Sequence, residues 1–288
     1  MKNASWEYRP NGEIPQGHSL PDGVVRFAMQ VEYDGTNYSG WQRQQHSRSV
    51  QETLEASLSK VANQQVRVVC AGRTDAGVHA SSQVVHFDTA AKRSAYQWMF
   101  GCNSALPADI KICWAQSVSA QFHARFSALS RSYRYIIYDR PQSPAILSSG
   151  LTWSKRKLDA DKMNQAIQLL LGEHDFSSFR ASRCAAYSPV RNVLSANVKR
   201  VADFVILEIT ANAFLQHMVR NIAGVLLEIG SSDLSTAHIG ELLALKDRTK
   251  SAPTAAPHGL YLVDVEYPPD FGLPTTVKGP SFIALLSS

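Results

Sequence analysis

The sequence has few cysteines, and they do not form a pattern typical of a disulfide framework or a zinc site. The four cysteines (Cys70, Cys102, Cys113 and Cys184) lie far apart, with no Cys-x-x-Cys among them. No apolar run approaches the roughly 18 residues that a membrane span requires. We therefore expect a reduced protein of the cytoplasm, without a membrane segment.

The start of the chain lacks the apolar core of a signal peptide. Residues 1–23 are polar and contain three prolines, so we expect a flexible extension there. The 288-residue chain as a whole is 44% hydrophobic and 18% charged, which is typical of a globular protein. Its length predicts about two domains, each large enough for its own core.

Acidic residues are scarce in one part of the chain. Between Gln121 and Arg200 there are thirteen Lys and Arg but only five Asp and Glu, although the net charge of the whole chain is only +5. Aromatic residues such as Tyr133, Phe179 and Tyr187 lie among these arginines. Cations beside aromatic rings suit contacts with phosphates and stacking on bases, which favours a nucleic-acid partner. The alternative is a basic face that is merely solvated.

The hydrophobic pattern of the first half predicts the element order β-α-β-β-α-β. Strands are predicted over residues 25–33, 66–70, 84–87 and 110–118, with helices starting at Ser49 and around residues 95–102. The first strand alternates apolar and polar residues, so we expect it to have one buried face. Ser49 and Glu52 have the spacing of a capping box, which marks the start of the first helix.

The second half predicts the same order without any sequence repeat. Strands are predicted over residues 133–138, 193–201, 204–210 and 260–266, and helices over 159–171, 214–229 and 236–245. This order is the ferredoxin-like arrangement, which also occurs in many RNA-binding modules. We predict an α+β fold of two ferredoxin-like halves, residues 24–125 and 126–268, whose antiparallel sheets meet around a central basic cleft. Residues 269–288 form a C-terminal tail in this interpretation.

One loop between two predicted strands concentrates chemically active side chains. The segment CAGRTDAGVHA, residues 70–80, has two glycines five positions apart, which permit positive φ or close backbone approach. Arg73, Thr74 and Asp75 lie between these glycines. The arrangement suits the placement of one ionised aspartate at a fixed height above a sheet. The alternative is an ordinary β-turn in which Asp75 bonds its own backbone.

This loop resembles the signature loop of the bacterial TruA-type tRNA pseudouridine synthases. Six further segments match that family in order: EYDG at 32–35 with GWQRQ at 40–44, FHARFSA at 122–128, YRY at 133–135, DF with SFR at 175–180, AF with HMVRN at 213–221, and GLYLV at 259–263. The resemblance covers nearly everything from about Val24 to Tyr267.

The resemblance implies an isomerase that converts uridine to pseudouridine at positions 38–40 of the tRNA anticodon stem-loop. Such an enzyme breaks the N1–C1′ bond of the target uridine, turns the base and rejoins it through C5. Because no electron leaves and no reagent is consumed, no cofactor and no metal are expected. The resemblance also implies a homodimer and an active site between two α/β halves.

The same resemblance assigns roles to individual residues. Asp75 is the nucleophile and attacks either the ribose C1′ or the base, and an adjacent guanidinium favours its ionised form. Arg220 pairs with Asp75 and orients it, and Tyr133 lies against the target base as the candidate for the C5 proton step. Leu260 lines the pocket, and Arg73 helps to displace the target base from its stack.

Each of these side chains also has a purely structural interpretation. Tyr133 is equally suited to the core of a strand. Arg220 follows the inward residues Met218 and Val219 on an apolar helix, and a buried arginine needs an anion, but an exposed position at the helix edge is the alternative.

The histidines do not have the spacing of a metal site. We expect His79 to stabilise its loop, His86 to be an ordinary strand residue, and His217 to contact RNA in the cleft.

Two other functions fit parts of the sequence. A non-catalytic RNA-binding module would explain the fold and the basic segment, and it predicts that Asp75 is dispensable. A metal-dependent or two-carboxylate hydrolase would need a second carboxylate about 5 to 10 Å from the first, or a cluster of ligands. Asp34 and Asp88 are the only nearby carboxylates for that role, and neither has a convincing loop partner.

Overall fold

The computed structural model describes residues 19–182 and 184–284, and the fold is given for these residues. Residues 1–18 of the predicted extension and residues 285–288 of the predicted tail lie outside the described part of the chain. None of the helices in the described part has the length and apolar composition needed to cross a bilayer.

The described residues form a mixed α+β structure with ten strands and six helices. The strands are β1 (Val25–Tyr33), β2 (Val69–Cys70), β3 (His79–Thr89), β4 (Ile110–Val118), β5 (Ser130–Tyr138), β6 (Thr152–Trp153), β7 (Gly172–Asp175), β8 (Val190–Val201), β9 (Phe204–Ala211) and β10 (Leu260–Glu266). The helices are α1 (Val50–Ala62), α2 (Ala95–Ala105), α3 (Ala160–Ile167), α4 (Met218–Ser231), α5 (His238–Leu245) and α6 (Ser281–Ala284).

All ten strands belong to one sheet. In the first half the neighbouring strands run β4-β1-β3-β2, and in the second half they run β10-β5-β9-β8, with β7 beyond β8. The pairs within each of these sets are antiparallel. The main hydrophobic core covers one face of this sheet and includes residues of helices α1 to α5.

A short parallel pairing, here called the seam, joins the two halves. Tyr261 and Leu262 of β10 pair with His79 and Ala80 of β3, while the opposite edge of β10 pairs with β5. The prediction of two separate sheets is therefore wrong. The last strand completes the second half and also reaches the edge of the strand that follows Asp75, so the two sheets merge.

Most predicted elements are present, and three strands (β1, β4 and β10) have the predicted bounds. Ser49 caps α1 and accepts a hydrogen bond from the Glu52 backbone N–H at 3.3 Å, as its position indicated. The predicted helix over 214–229 instead begins at Met218. Its N-cap residue His217 has φ of +63°, so residues 214–217 approach along a non-helical path that the apolar pattern did not reveal.

The prediction that β1 has one buried face is wrong, because both of its faces are buried. Arg26 donates from Nε and Nη2 to the two carboxylate oxygens of Asp88, both at 2.7 Å, and from Nη1 to two backbone carbonyls. Gln30 donates to Ser82 at 2.9 Å and to Thr276 at 3.2 Å. Polar side chains of the alternating pattern are thus buried, and their N–H groups donate hydrogen bonds within the protein.

The predicted C-terminal tail forms a strap, residues 272–283, across the face of the sheet opposite the main core. Gly272 accepts from Gln116 of β4, Thr276 accepts from Gln30 of β1, and Gly279 accepts from Arg134 of β5. Ile283 is fully buried in a second, smaller apolar cluster with Ile136, Ile206, Tyr261 and others. The strap therefore contacts strands of both halves.

We expect Ile283→Ala to lower the free energy of unfolding by about 2–4 kcal/mol, because it leaves a cavity in the second cluster. The measurement is urea denaturation followed by circular dichroism. Val277→Ala is the matched control, since Val277 lies in the same strap with 82% of its surface exposed and its loss should change little. Equal midpoints for both variants would show that the strap is not packed on the sheet.

Candidate active site

Backbone and side-chain contacts fix the Asp75 loop, residues 70–80, on both sides. The Thr74 carbonyl accepts from Trp41 N–H at 3.0 Å, and the Thr74 hydroxyl lies 2.7 Å from Tyr33 Oη. The amide of Gln83 bonds both the carbonyl and the N–H of Gly72, at 2.5 and 3.3 Å. The loop is thereby held to β1, to β3 and to the segment after β1.

Two glycines are required by this geometry. Gly77 has φ of +75°, a conformation that side-chain-bearing residues rarely adopt. A Cβ on Gly35 would overlap the carbonyl oxygen of Val78, so only glycine permits the approach of these two backbones. The Val78 N–H donates to the Asp75 carbonyl at 3.1 Å, which closes a turn in the backbone.

The Asp75 side chain points away from this turn and meets two side chains from the second half. Arg220 Nη1 lies 3.1 Å from Asp75 Oδ2, and His217 Nε2 lies 3.6 Å from the same oxygen. Arg220 Nε also donates to the Ala255 carbonyl at 2.9 Å, which fixes the guanidinium plane. The carboxylate retains 25% of its exposure, so it is oriented but accessible.

Tyr133 is buried beside the same loop. Its ring packs edge-on against Phe214, with centroids 4.9 Å apart, and its hydroxyl lies close to Gly72. Burial raises the pKa of the Tyr133 phenol well above its usual range, and the negative charge of Asp75 adds to this effect, whereas Arg131 opposes it. Tyr133 is therefore a neutral phenol near the carboxylate.

Arg73 and Leu260 lie at the edges of this group. Arg73 is exposed and has no ion pair within the described part of the chain. Leu260 is buried in the main core as the first residue of β10, opposite Tyr135 of β5 and next to the seam. The structure thus brings Asp75, Arg220 and His217 into contact with Tyr133 close by, while Arg73 and Leu260 form no polar contact with them.

His79 links the Asp75 loop to the second half. Its Nδ1 accepts from the Gly35 N–H at 3.1 Å, and its Nε2 lies 3.0 Å from the carbonyl oxygens of Ser149 and His258. Burial lowers the pKa of His79, although the nearby Asp34 charge acts in the other direction. The imidazole is therefore neutral, with the proton on Nε2. The approach of His79 Nδ1 to Asp34 Oδ1, at 3.1 Å, is accordingly not an ion pair.

Sequence reasoning missed Arg131, which lies two residues before Tyr133 on β5. Arg131 is only 8% exposed, and its guanidinium donates to four carbonyls, those of Ala71, Arg125, Ala128 and Asn212. It forms no ion pair with a carboxylate in the described residues. Its four partners come from the Asp75 loop, the connection between the halves and the approach to α4, so Arg131 holds these segments together.

The two carboxylates proposed for a hydrolase are engaged elsewhere. Asp34 accepts from the backbone and hydroxyl of Thr36, and Asp88 is held by the guanidinium of Arg26. Asp88 also lies near the far end of β3, about 30 Å from the end next to Asp75 at 3.3 Å per residue. Within residues 19–182 and 184–284, no three His, Cys, Asp or Glu side chains are grouped to hold a metal ion.

The sequence matches the family described as tRNA pseudouridine synthase over residues 29–127 and 166–268. It is 53% identical over 266 residues to the tRNA pseudouridine synthase A of Cronobacter sakazakii, covering 92% of this chain and 98% of that protein. It is 54% identical over 259 residues to the tRNA pseudouridine synthase A of Vibrio cholerae serotype O1, covering 90% and 98%. The two matched segments include the Asp75 loop and Arg220, respectively.

A solved structure titled "Crystal Structure of a Cbf5-Nop10-Gar1 Complex" aligns with 82% of this chain and 58% of that chain. The sequence identity is 13% and the TM-score is 0.33, values too low to say anything about this fold.

The buried His86 and the half-buried His123, next to the connection between the halves, predict a loss of stability in acid. Burial, with the charges of neighbouring cations, lowers the pKa of His86 to about 2 and that of His123 to about 4. The unfolded chain binds these protons near pH 6.5, whereas the folded chain does not. Their contribution to stability is therefore present above pH 6.5 and is lost as the pH falls below it.

We expect His86→Asn to reduce this acid sensitivity, because an amide oxygen can still accept the Ala124 N–H that His86 Nδ1 accepts at 3.0 Å. Between pH 7 and pH 5 the free energy of unfolding of the unsubstituted protein should fall by about 2 kcal/mol more than that of the variant. Urea denaturation at each pH measures this difference. The control is His46→Asn, at an exposed position, and identical pH profiles for all three proteins would contradict the prediction.

Proposed function

The chain belongs to the tRNA pseudouridine synthase family, and we propose that it isomerises uridine to pseudouridine in tRNA with Asp75 as the nucleophile. The contact of Asp75 with Arg220, at 3.1 Å, is the observation that supports this most directly. The two residues are 145 positions apart and come from different halves of the chain. A carboxylate that is held by a guanidinium and still accessible is suited to attack an electrophilic carbon.

In the ribose route, Asp75 bonds to C1′ as the N1–C1′ bond breaks and its electron pair leaves with the base. In the base route, Asp75 bonds to the base before the N1–C1′ bond breaks. Both routes are compatible with one oriented carboxylate. The detached base then turns and C5 bonds to C1′, the proton on C5 is removed, and N1 takes up a proton. In either route the bond to Asp75 breaks before the product leaves, which regenerates the carboxylate. Atoms and electrons balance within the substrate and the protein, so the proposal includes no cofactor.

The other site residues bind or position the substrate in this proposal, and Tyr133 also takes part in the chemistry. Tyr133, a neutral phenol supported by Phe214, lies against the target base and takes part in the removal of the C5 proton. Leu260 lines the pocket at the seam. Arg73, exposed beside the nucleophile, helps to hold the displaced base out of its stack, and His217 contacts the RNA.

We place the target at positions 38–40 of the anticodon stem-loop, in a basic cleft between two ferredoxin-like halves. The repeated strand orders β4-β1-β3-β2 and β10-β5-β9-β8 support two such halves, over residues 24–125 and 126–268. The excess of Lys and Arg between Gln121 and Arg200 supports a polyanionic partner. The proposal also includes a homodimer in the cytoplasm, where the four free cysteines would stay reduced.

We expect Asp75→Asn to abolish isomerisation, with a loss of at least about 10³-fold, because the amide lacks the nucleophilic oxygen. The measurement is tritium release from tRNA that carries [5-³H]uridine, in the presence of EDTA. Asp233→Asn is the matched control, since it removes one exposed carboxylate charge far from the loop in the sequence. Binding of tRNA by both variants should persist.

Release by the unsubstituted protein in EDTA would remove the metal-dependent hydrolase. Normal release by Asp75→Asn would contradict the assignment of the nucleophile. If the unsubstituted protein binds unmodified tRNA without any release, the isomerase proposal is wrong and a non-catalytic RNA-binding protein remains.

We expect Tyr133→Phe to slow tritium release by about 10²-fold or more, because the phenolic oxygen that takes part in the C5 proton step is missing. Affinity for tRNA should change little, since the ring and its packing on Phe214 are retained. Single-turnover release at saturating tRNA measures the step. Tyr96→Phe, at an exposed position on α2, is the control, and equal rates for the two variants would leave Tyr133 a purely structural residue.

A further inference from the structure

Two arginines in the second half lack the anionic partners that half-buried guanidinium groups usually have. Arg180 donates from Nη2 to the Cys184 carbonyl at 3.1 Å, and Arg191 donates from Nη1 to the carbonyls of Ser188 and Val190. Neither forms an ion pair with a carboxylate in the described residues. Each guanidinium has five N–H donors, so most donors of this pair are left without a charged acceptor.

Arg191 has the less favourable environment of the two. Its Nε is buried and has no hydrogen-bond partner in the described residues. Burial lowers the pKa of Arg191, and the positive charge of Arg180 lowers it further, whereas Cys184 acts in the other direction. Two cations that repel each other around an unsatisfied buried donor are costly unless an anion joins them.

Both arginines adjoin the segment that carries part of the candidate site, residues 212–217. Ala181, next to Arg180, donates its N–H to the Gln216 carbonyl at 2.9 Å. Asn192, next to Arg191, donates its N–H to Asn212 Oδ1 at 3.0 Å and accepts the Asn212 N–H at 3.1 Å. One end of the segment 212–217 thus contacts the strand that carries Arg191, and the other end contacts the turn that follows Arg180.

The segment 212–217 contacts residues of the candidate active site. Phe214 packs on Tyr133, and His217 lies 3.6 Å from the Asp75 carboxylate. A group bound by Arg180 and Arg191 would therefore lie at the edge of the site and not at a remote surface. A guanidinium pair recognises phosphate oxygens through bidentate, charge-assisted hydrogen bonds.

We infer that Arg180 and Arg191 form a phosphate-binding site that holds a backbone phosphate of the tRNA next to the target nucleotide. The inference rests on the proposed function, because it takes tRNA as the substrate of the neighbouring site. The bound phosphate accepts from Arg191 Nη2 and from the free donors of Arg180, and it removes the repulsion between the two cations. Fixing a flanking phosphate positions the extruded nucleotide over Asp75.

A structural role for Arg191 makes the opposite prediction about stability. If its bonds to Ser188 and Val190 serve only to hold the turn before β8, their removal lowers the melting temperature. If the empty protein instead carries an unneutralised cation, Arg191→Gln leaves the melting temperature unchanged or raises it by a few degrees. Thermal unfolding without RNA separates these two cases.

The binding experiment uses Arg191→Gln and Arg180→Gln, with Arg93→Gln as the matched control. Arg93 is exposed before α2, has no ion pair in the described residues and carries the same charge. The Kd for an unmodified tRNA transcript is measured over a series of KCl concentrations. For each site variant we expect the slope of log Kd against log [KCl] to fall by about 1, with a several-fold higher Kd near 100 mM salt.

Two further readouts complete the test. Arg191→Lys, which keeps the charge but not the planar fork, should restore the salt slope and only part of the affinity. Single-turnover isomerisation at saturating tRNA should slow several-fold in the site variants and not in Arg93→Gln, because the flanking phosphate no longer positions the target nucleotide over Asp75.

Three results would overturn the inference while leaving the isomerase intact. The first is that both site variants have the same salt slope as the unsubstituted protein, and the second is that Arg93→Gln changes the slope equally. The third is that Arg191→Gln lowers the melting temperature without changing the slope. Failure of the proposed function would look different, since the unsubstituted protein itself would release no tritium from tRNA.

Discussion

A parallel pairing only two residues long holds the two halves of this protein in one sheet. Tyr261 and Leu262 pair with His79 and Ala80, the last two residues of the Asp75 loop. The contact between Asp75 and Arg220 depends on this seam, because the carboxylate belongs to one half and the guanidinium to the other. A shift of one residue would turn the paired side chains to the opposite faces of the sheet. So short a pairing needs support, which comes from the neutral His79 within the core and from the strap on the opposite face.

Much of the fold follows from periodicity, and its failures have identifiable causes. The bounds of β4 and β10 were predictable because apolar alternation, turn residues and β-branched side chains agree there. The doubly buried β1 was not predictable, since a strap without any periodic pattern covers its second face. The start of α4 was also missed, because an apolar stripe says nothing about the positive φ of His217 that begins the helix.

The candidate site was predictable where charge had to be balanced. Arg220 lies on an otherwise apolar helix, and a buried arginine requires an anion, for which the family resemblance named Asp75. The same logic did not find Arg131, because its partners are four backbone carbonyls that no side-chain pattern reveals. Leu260 forms no polar contact with Asp75, and Arg73 is exposed to solvent. The roles proposed for these two residues therefore depend on contacts with the substrate.

The arginines of this fold differ in whether a carboxylate neutralises them. The guanidinium groups of Arg26 and Arg200 are neutralised by the carboxylates of Asp88 and Asp139. Arg131 and Arg191 lack such partners in the described residues, and both adjoin the segment from Asn212 to His217. A charge that folding leaves unmatched raises the free energy of the empty protein, and a polyanion that matches it binds the folded form selectively. In the proposed complex with tRNA, a backbone phosphate supplies the anion that Arg191 lacks.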